Sequence, residues 1–65
     1  MKKYVITFNQ NLINDLKSLK NKIEAEGFDV ISNYKFGMMV GFADNEATER
    51  LLKFKEVKNI KKYTF

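Results

Sequence analysis

Residues 30–42 read VISNYKFGMMVGF, and the way this stretch divides decides the fold. Val30 to Phe36 reads as one strand and Met38 to Phe42 as the next, with Gly37 at the turn. β-Branched and aromatic residues suit a pleated backbone, and glycine tolerates the tight reversal between strands. Two strands therefore follow one another directly in mid-chain. Upstream, Tyr4-Val5-Ile6-Thr7-Phe8 is β-branched and aromatic throughout and reads as the first strand. Asn9 to Asn11 offer helix N-caps, and Leu12, Leu16, Leu19 and Ile23 follow at spacings of four, three and four, an apolar stripe of helical period. Gly27 ends that helix as a left-handed C-terminal residue. Downstream, Asp44 caps a second, shorter helix that turns Ala47, Leu51 and Leu52 inward, and Val57 and Ile60 begin the last strand.

Strand, helix, strand, strand, helix, strand predicts an α+β, ferredoxin-like split βαβ fold (βαββαβ). Both helices then lie on one face of a four-stranded antiparallel sheet, for which right-handed crossovers favour the order 4-1-3-2. Alternation assigns Tyr4, Ile6 and Phe8, with Met38, Val40 and Phe42, to the helix-covered face. Val5, Thr7, Ile31, Asn33, Met39 and Gly41 are then expected on the open face. The phase of the second strand stays open, because Val30, Ile31, Tyr34 and Phe36 put apolar groups on both sides. An open face that is flat, partly apolar and low in charge suits docking. A half-solvated antiparallel sheet explains it nearly as well.

With 65 residues the chain is expected to form a single domain, 1–65, and at 45% hydrophobic and 31% charged it is too apolar for disorder. It contains no cysteine and no histidine, so neither disulfides nor thiolate metal sites are available. Ser18 and Ser32 have no base to activate them, the carboxylates lack metal-ligand spacing, and no glycine-rich loop leads into a helix. These features point to a non-enzyme that acts by binding, without metal or cofactor. The apolar run of MKKYVITF is too short for a signal peptide or a membrane span. A soluble protein without a membrane partner is expected, cytoplasmic if free-standing and secreted if excised from a precursor. Net charge is +4, and Lys53, Lys55, Lys58, Lys61 and Lys62 crowd the C-terminal stretch against the single acid Glu56. Such clustering marks nucleic-acid or acidic-protein partners, although lysine serves more often as plain solvated surface.

Three stretches, KKYVITFNQ, EGFDVISNYKF and NEATERLLKFKEVKNIKKY, carry a resemblance that spans nearly the whole chain. In order and spacing the sequence resembles the propeptides of subtilisin-type serine proteases and the free-standing inhibitors of the same family (peptidase inhibitor I9). Gly27, Val30 and Tyr34 match in the second stretch; Ala47, Leu51, Val57 and Ile60 match apolar positions in the third. The resemblance implies the split βαβ fold and a protein partner, a subtilisin-like serine protease. Family members pack the open sheet face on two surface helices of the protease, here a face of Val5, Thr7, Ile31, Asn33 and Met39. Their C-terminal tail, here Lys62, Tyr63, Thr64 and Phe65, enters the active-site cleft like a cleaved product, with Phe65 suited to the apolar first pocket. Such a domain templates folding when attached to its protease and inhibits when free. Where the family usually carries an acidic pair after the position of Ile60, this chain has Lys61 and Lys62.

Two further readings use the same fold. KFGMMVGF is similar to the third strand of RNA-recognition modules through Lys35, Val40 and Phe42, but has Met38 and Met39 at the central stacking positions. Lysines would still hold the phosphates of a nucleic acid. The other is a domain that is monomeric when free and pairs into a dimer through its sheet.

Overall fold

A computed structural model describes every residue except Asn33, Thr64 and Phe65. The described elements are β1 (Lys2–Phe8), α1 (Leu16–Ala25), β2 (Asp29–Val30), β3 (Met38–Ala43), α2 (Asn45–Leu51) and β4 (Val57–Lys62), with a 3₁₀ turn at Gln10–Leu12. Every strand pairing is antiparallel and the order is β2-β3-β1-β4, the expected 4-1-3-2. Leu19 and Ile23 from α1 and Ala47 and Leu51 from α2 join one core with Tyr4, Ile6, Phe8, Phe28 and Ala43. Both helices therefore back the same side of the sheet.

Helix α1 starts later than its apolar stripe suggests. Its N-cap is Asp15, whose carboxylate accepts from the Lys17 N–H at 3.1 Å and the Ser18 hydroxyl at 3.0 Å. Asn9 caps only the 3₁₀ turn and its side chain makes no capping bond, donating instead from Nδ2 to the Lys55 carbonyl at 3.1 Å, and Leu12 and Leu16 stay exposed. Gly27 takes the expected left-handed conformation, φ +100°. Asp44 caps α2 as read, accepting the Ala47 N–H at 2.8 Å. Leu52, the C-cap, is 52% exposed and does not reach the core. Successive helical residues diverge by roughly 100°, so the inward position taken by Leu51 leaves its neighbour outside. Arg50 locks the two helices together through Glu26, with Nε on Oε1 at 2.9 Å and Nη2 on the carbonyl at 2.8 Å.

The mid-chain hairpin departs from the reading in two ways. First, β2 is two residues long rather than running from Val30 to Phe36. The N–H groups of Ile31 and Ser32 both point at the Val40 carbonyl, at 2.9 and 3.2 Å, the pattern of a bulge that ends regular pairing. The displaced chain lets Tyr34 turn inward beside Phe8, ring centroids 5.8 Å apart, while Phe36 turns out. Pairing resumes where Lys35 and Met38 exchange backbone hydrogen bonds of 2.9 and 3.0 Å around Phe36 and Gly37. Positive φ at both loop residues, +53° and +78°, defines the mirror-image turn that matches strand twist in two-residue hairpins.

Second, the phase of β3 is the reverse of the expected one. Ile6 stands opposite Met39, Val5 opposite Val40 and Thr7 opposite Met38. Met39, Gly41 and Ala43 are buried under the helices, whereas Met38, Val40 and Phe42 belong to the open face. Gly41 decides this. A Cβ at that position would run into the Asp29 carbonyl and the Phe28 ring. Phe28, arriving from beyond α1, occupies the volume that β3 leaves empty. In β4 the register shifts between Thr7 and Phe8, which leaves Lys58 as the extra residue of a bulge. That shift lets Val57 and Ile60, three positions apart, both turn to the core side.

Candidate functional site: the open sheet face

The side of the sheet away from the helices is where the chain presents organised apolar surface. Val5, Met38, Val40, Phe36 and Tyr63 line a groove of about 320 Å³, with Ser32 and Lys35 at its rim. A more polar hollow of about 380 Å³ adjoins it, sharing Val5, Met38 and Tyr63 and adding Thr7, Asn59 and Lys61. Asn59 places a buried side-chain oxygen there that has no hydrogen-bond partner among the described residues.

The expected site residues are distributed as follows. Val5 and Thr7 lie on the open face as read, and Ile31 is exposed at its edge, hydrogen-bonded to Val40. Met39 is 2% exposed and sits in the core, so it is withdrawn from the docking face; its place there is taken by Met38 and Val40. Asn33, Thr64 and Phe65 lie outside the described residues. Lys62 pairs with Tyr4 as the last residue of β4, not as part of a loose tail. Tyr63 prolongs the same ladder, donating its N–H to the Lys3 carbonyl at 2.8 Å. Its ring lies below the Lys3 ammonium, 4.5 Å from nitrogen to centroid, on the wall of the groove. Phe36, Met38 and Val40 were missed as site residues, because the inverted phase of β3 hid them.

Phe36 is the most conspicuous of these. It is 82% exposed at the hairpin tip and holds a left-handed backbone that a phenylalanine adopts at a cost of order 1 kcal/mol. The Lys35 ammonium stands 5.6 Å from the ring centroid.

The acids divide along the same line as packing. Asp15, Glu24 and Glu26 belong to α1 and its caps; Asp44, Glu46 and Glu49 belong to α2 and its N-cap. Glu56, ahead of β4, reaches Lys22 of α1 at 3.1 Å. Burial pushes the Glu56 carboxyl upward, but hydrogen bonds from its own backbone N–H and from Lys22 outweigh this and hold it below the usual value. Seven of the eight acids are thus on the helical side or leading to it, and Asp29, paired with Phe42 at the sheet edge, is the eighth. Lys3, Lys35 and Lys61 surround the two hollows. The open face is apolar at its centre and positive around it.

Among the described residues no group of three or more acidic, histidine or cysteine side chains is placed to hold a metal ion. No described helix is long and apolar enough to cross a membrane. The chain matches no protein-family model, and a search of curated proteins finds no match to it either.

Proposed function

We propose that the protein is a binding protein that docks through its open sheet face on a subtilisin-like serine protease and inhibits it. The observation that carries this reading is the bare apolar groove of Val5, Met38 and Val40 on a sheet whose other face is fully backed by helices. Organised apolar surface of this kind on a small, marginal domain is costly to leave wet and suits a protein partner. The resemblance supplies the choice of partner, and the 4-1-3-2 sheet with both helices on one side is the architecture that it requires. Tyr63 stands beside the groove, and the resemblance assigns the residues that follow it to the protease cleft, bound like a cleaved product. An extended segment bound this way adds backbone hydrogen bonds to those of the face, and the folded domain raises its effective concentration. Joined to its protease, the same domain acts as a folding template; the reaction chemistry remains the protease's own.

The test is titration of a panel of subtilisin-like proteases with the protein, with Val40→Glu, and with a chain shortened after Lys62. Inhibition is expected, weakened at least tenfold by the charge in the groove and tenfold to a hundredfold by loss of the terminal aromatics. A well-folded protein that inhibits no member of the panel would refute the reading.

A second reading, single-stranded nucleic acid on the same face, draws on the lysines set beside Phe36, Phe42 and Tyr63. The centre of the sheet is aliphatic where a base-stacking platform would be aromatic, which favours the protein partner.

A further inference from the structure

We infer that Phe36 is the principal anchor of this docking face, and that it enters an apolar pocket rimmed by carboxylates on the partner protein. The inference rests on the reading of the open face as a protein-docking surface and names what that surface must meet. Three observations lead to it. Phe36 breaks two local rules at once, an exposed aromatic ring and a left-handed backbone, at a turn position where asparagine or aspartate would satisfy both. The fold draws little from the ring, which is 82% exposed and stands outside the core. It also forms one wall of the groove, so a pocket that receives Phe36 is continuous with the surface that covers Val5, Met38 and Val40.

Rigidity makes the ring a good anchor. The two backbone hydrogen bonds between Lys35 and Met38 fix the loop, and the Gln10 side chain lies against Gly37 from the other side. A ring held this way loses little freedom on binding, and buried aromatic anchors dominate protein interfaces. The charge of the partner follows from complementarity. Lys35 stands next to the ring, Lys3 and Lys61 stand across the hollows, and the acids lie almost entirely on the other layer. A basic surface would be repelled on approach, an acidic one steered in. The same charges disfavour pairing of two copies face to face, which would set three lysines against three.

Phe36→Asn separates anchor from scaffold, because asparagine is the residue this turn prefers. Its melting temperature is expected to equal or exceed that of the parent by about 2–6 °C. Its binding to a nucleophile-inactivated subtilisin-like protease that the parent inhibits is expected to be tenfold to a hundredfold weaker. Parent affinity should fall as sodium chloride is raised, and fall less steeply for Lys35→Glu. Unchanged binding by Phe36→Asn, or melting well below the parent, would overturn the anchor while leaving the protease reading in place. Affinity indifferent to salt would overturn the acidic rim. Failure of the parent to bind any protease overturns both the reading and the inference. In that case, binding of a single-stranded oligouridylate control would assign the face to nucleic acid, and concentration-dependent dimerisation would assign it to a second copy.

Discussion

Met38 and Met39 are neighbours of the same type on one strand, yet one is 39% exposed in the groove and the other 2% exposed in the core. The difference between the two faces of β3 separates what holds this molecule together from what it leaves exposed. On the covered face each position is fixed by a neighbour: Met39 opposite Ile6, Gly41 beneath Phe28, Ala43 within the core. On the open face the side chains meet one another and solvent. Substitutions should therefore divide by face more than by residue type.

The sharpest form of that contrast is Met39→Ala against Met38→Ala. The first should cost about 2–5 kcal/mol, a large share of the roughly 3–10 kcal/mol expected for a domain of this size. The second should stay within about 0.5–1 kcal/mol. Urea denaturation of both variants measures the difference, and equal losses would mean that the two faces are not distinct. Next in size is Gly41→Ala, whose methyl must displace the Asp29 carbonyl or the Phe28 ring, at a cost of about 1–3 kcal/mol. Val40→Ala on the other face should cost less than about 1 kcal/mol by the same measurement.

Capping gives a smaller test of where α1 begins. Asp15→Ala should lose about 1 kcal/mol, and Asn11→Ala should fall within about 0.5 kcal/mol of the parent. The smallest effect is on the helical side, at Glu56. Its carboxyl is held below the ordinary value in the folded state, so the folded protein binds fewer protons than the unfolded one just below that value. The stabilisation is complete above the unfolded pKa and is lost as pH falls through the lower folded value. Lys22 is half exposed, which limits the effect to below about 1 kcal/mol. Glu56→Gln should flatten that part of the acid-unfolding profile.

Much of the architecture is legible in the sequence, because strand β1, the stop at Gly27, the cap at Asp44 and the element order are local signals. The phase of β3 is not. MMVGFA is apolar on both sides of the alternation, and its orientation is set by the ring of Phe28, ten or more positions earlier in the chain. A count of side chains favours Met38, Val40 and Phe42 for the core; the volume supplied from outside the strand reverses that choice. The shortness of β2 has a similar origin, since a bulge at Ile31 and Ser32 resolves a segment whose apolar residues point both ways. The candidate site inherits these errors. Val5 and Thr7 follow from β1, whose alternation is clean, whereas Met39 was drawn from the wrong side of β3. Phe36 lies at a turn, where neither periodicity nor propensity reports that a side chain protrudes.

The most direct measurement is amide chemical-shift mapping of the ¹⁵N-labelled protein as a nucleophile-inactivated subtilisin-like protease is added. Perturbations concentrated at Val5, Phe36, Met38, Val40 and Tyr63, with Leu19, Ile23 and Leu51 unmoved, are the predicted result. A footprint on the outer helix surface around Leu16 and Leu52, leaving the groove untouched, would contradict it.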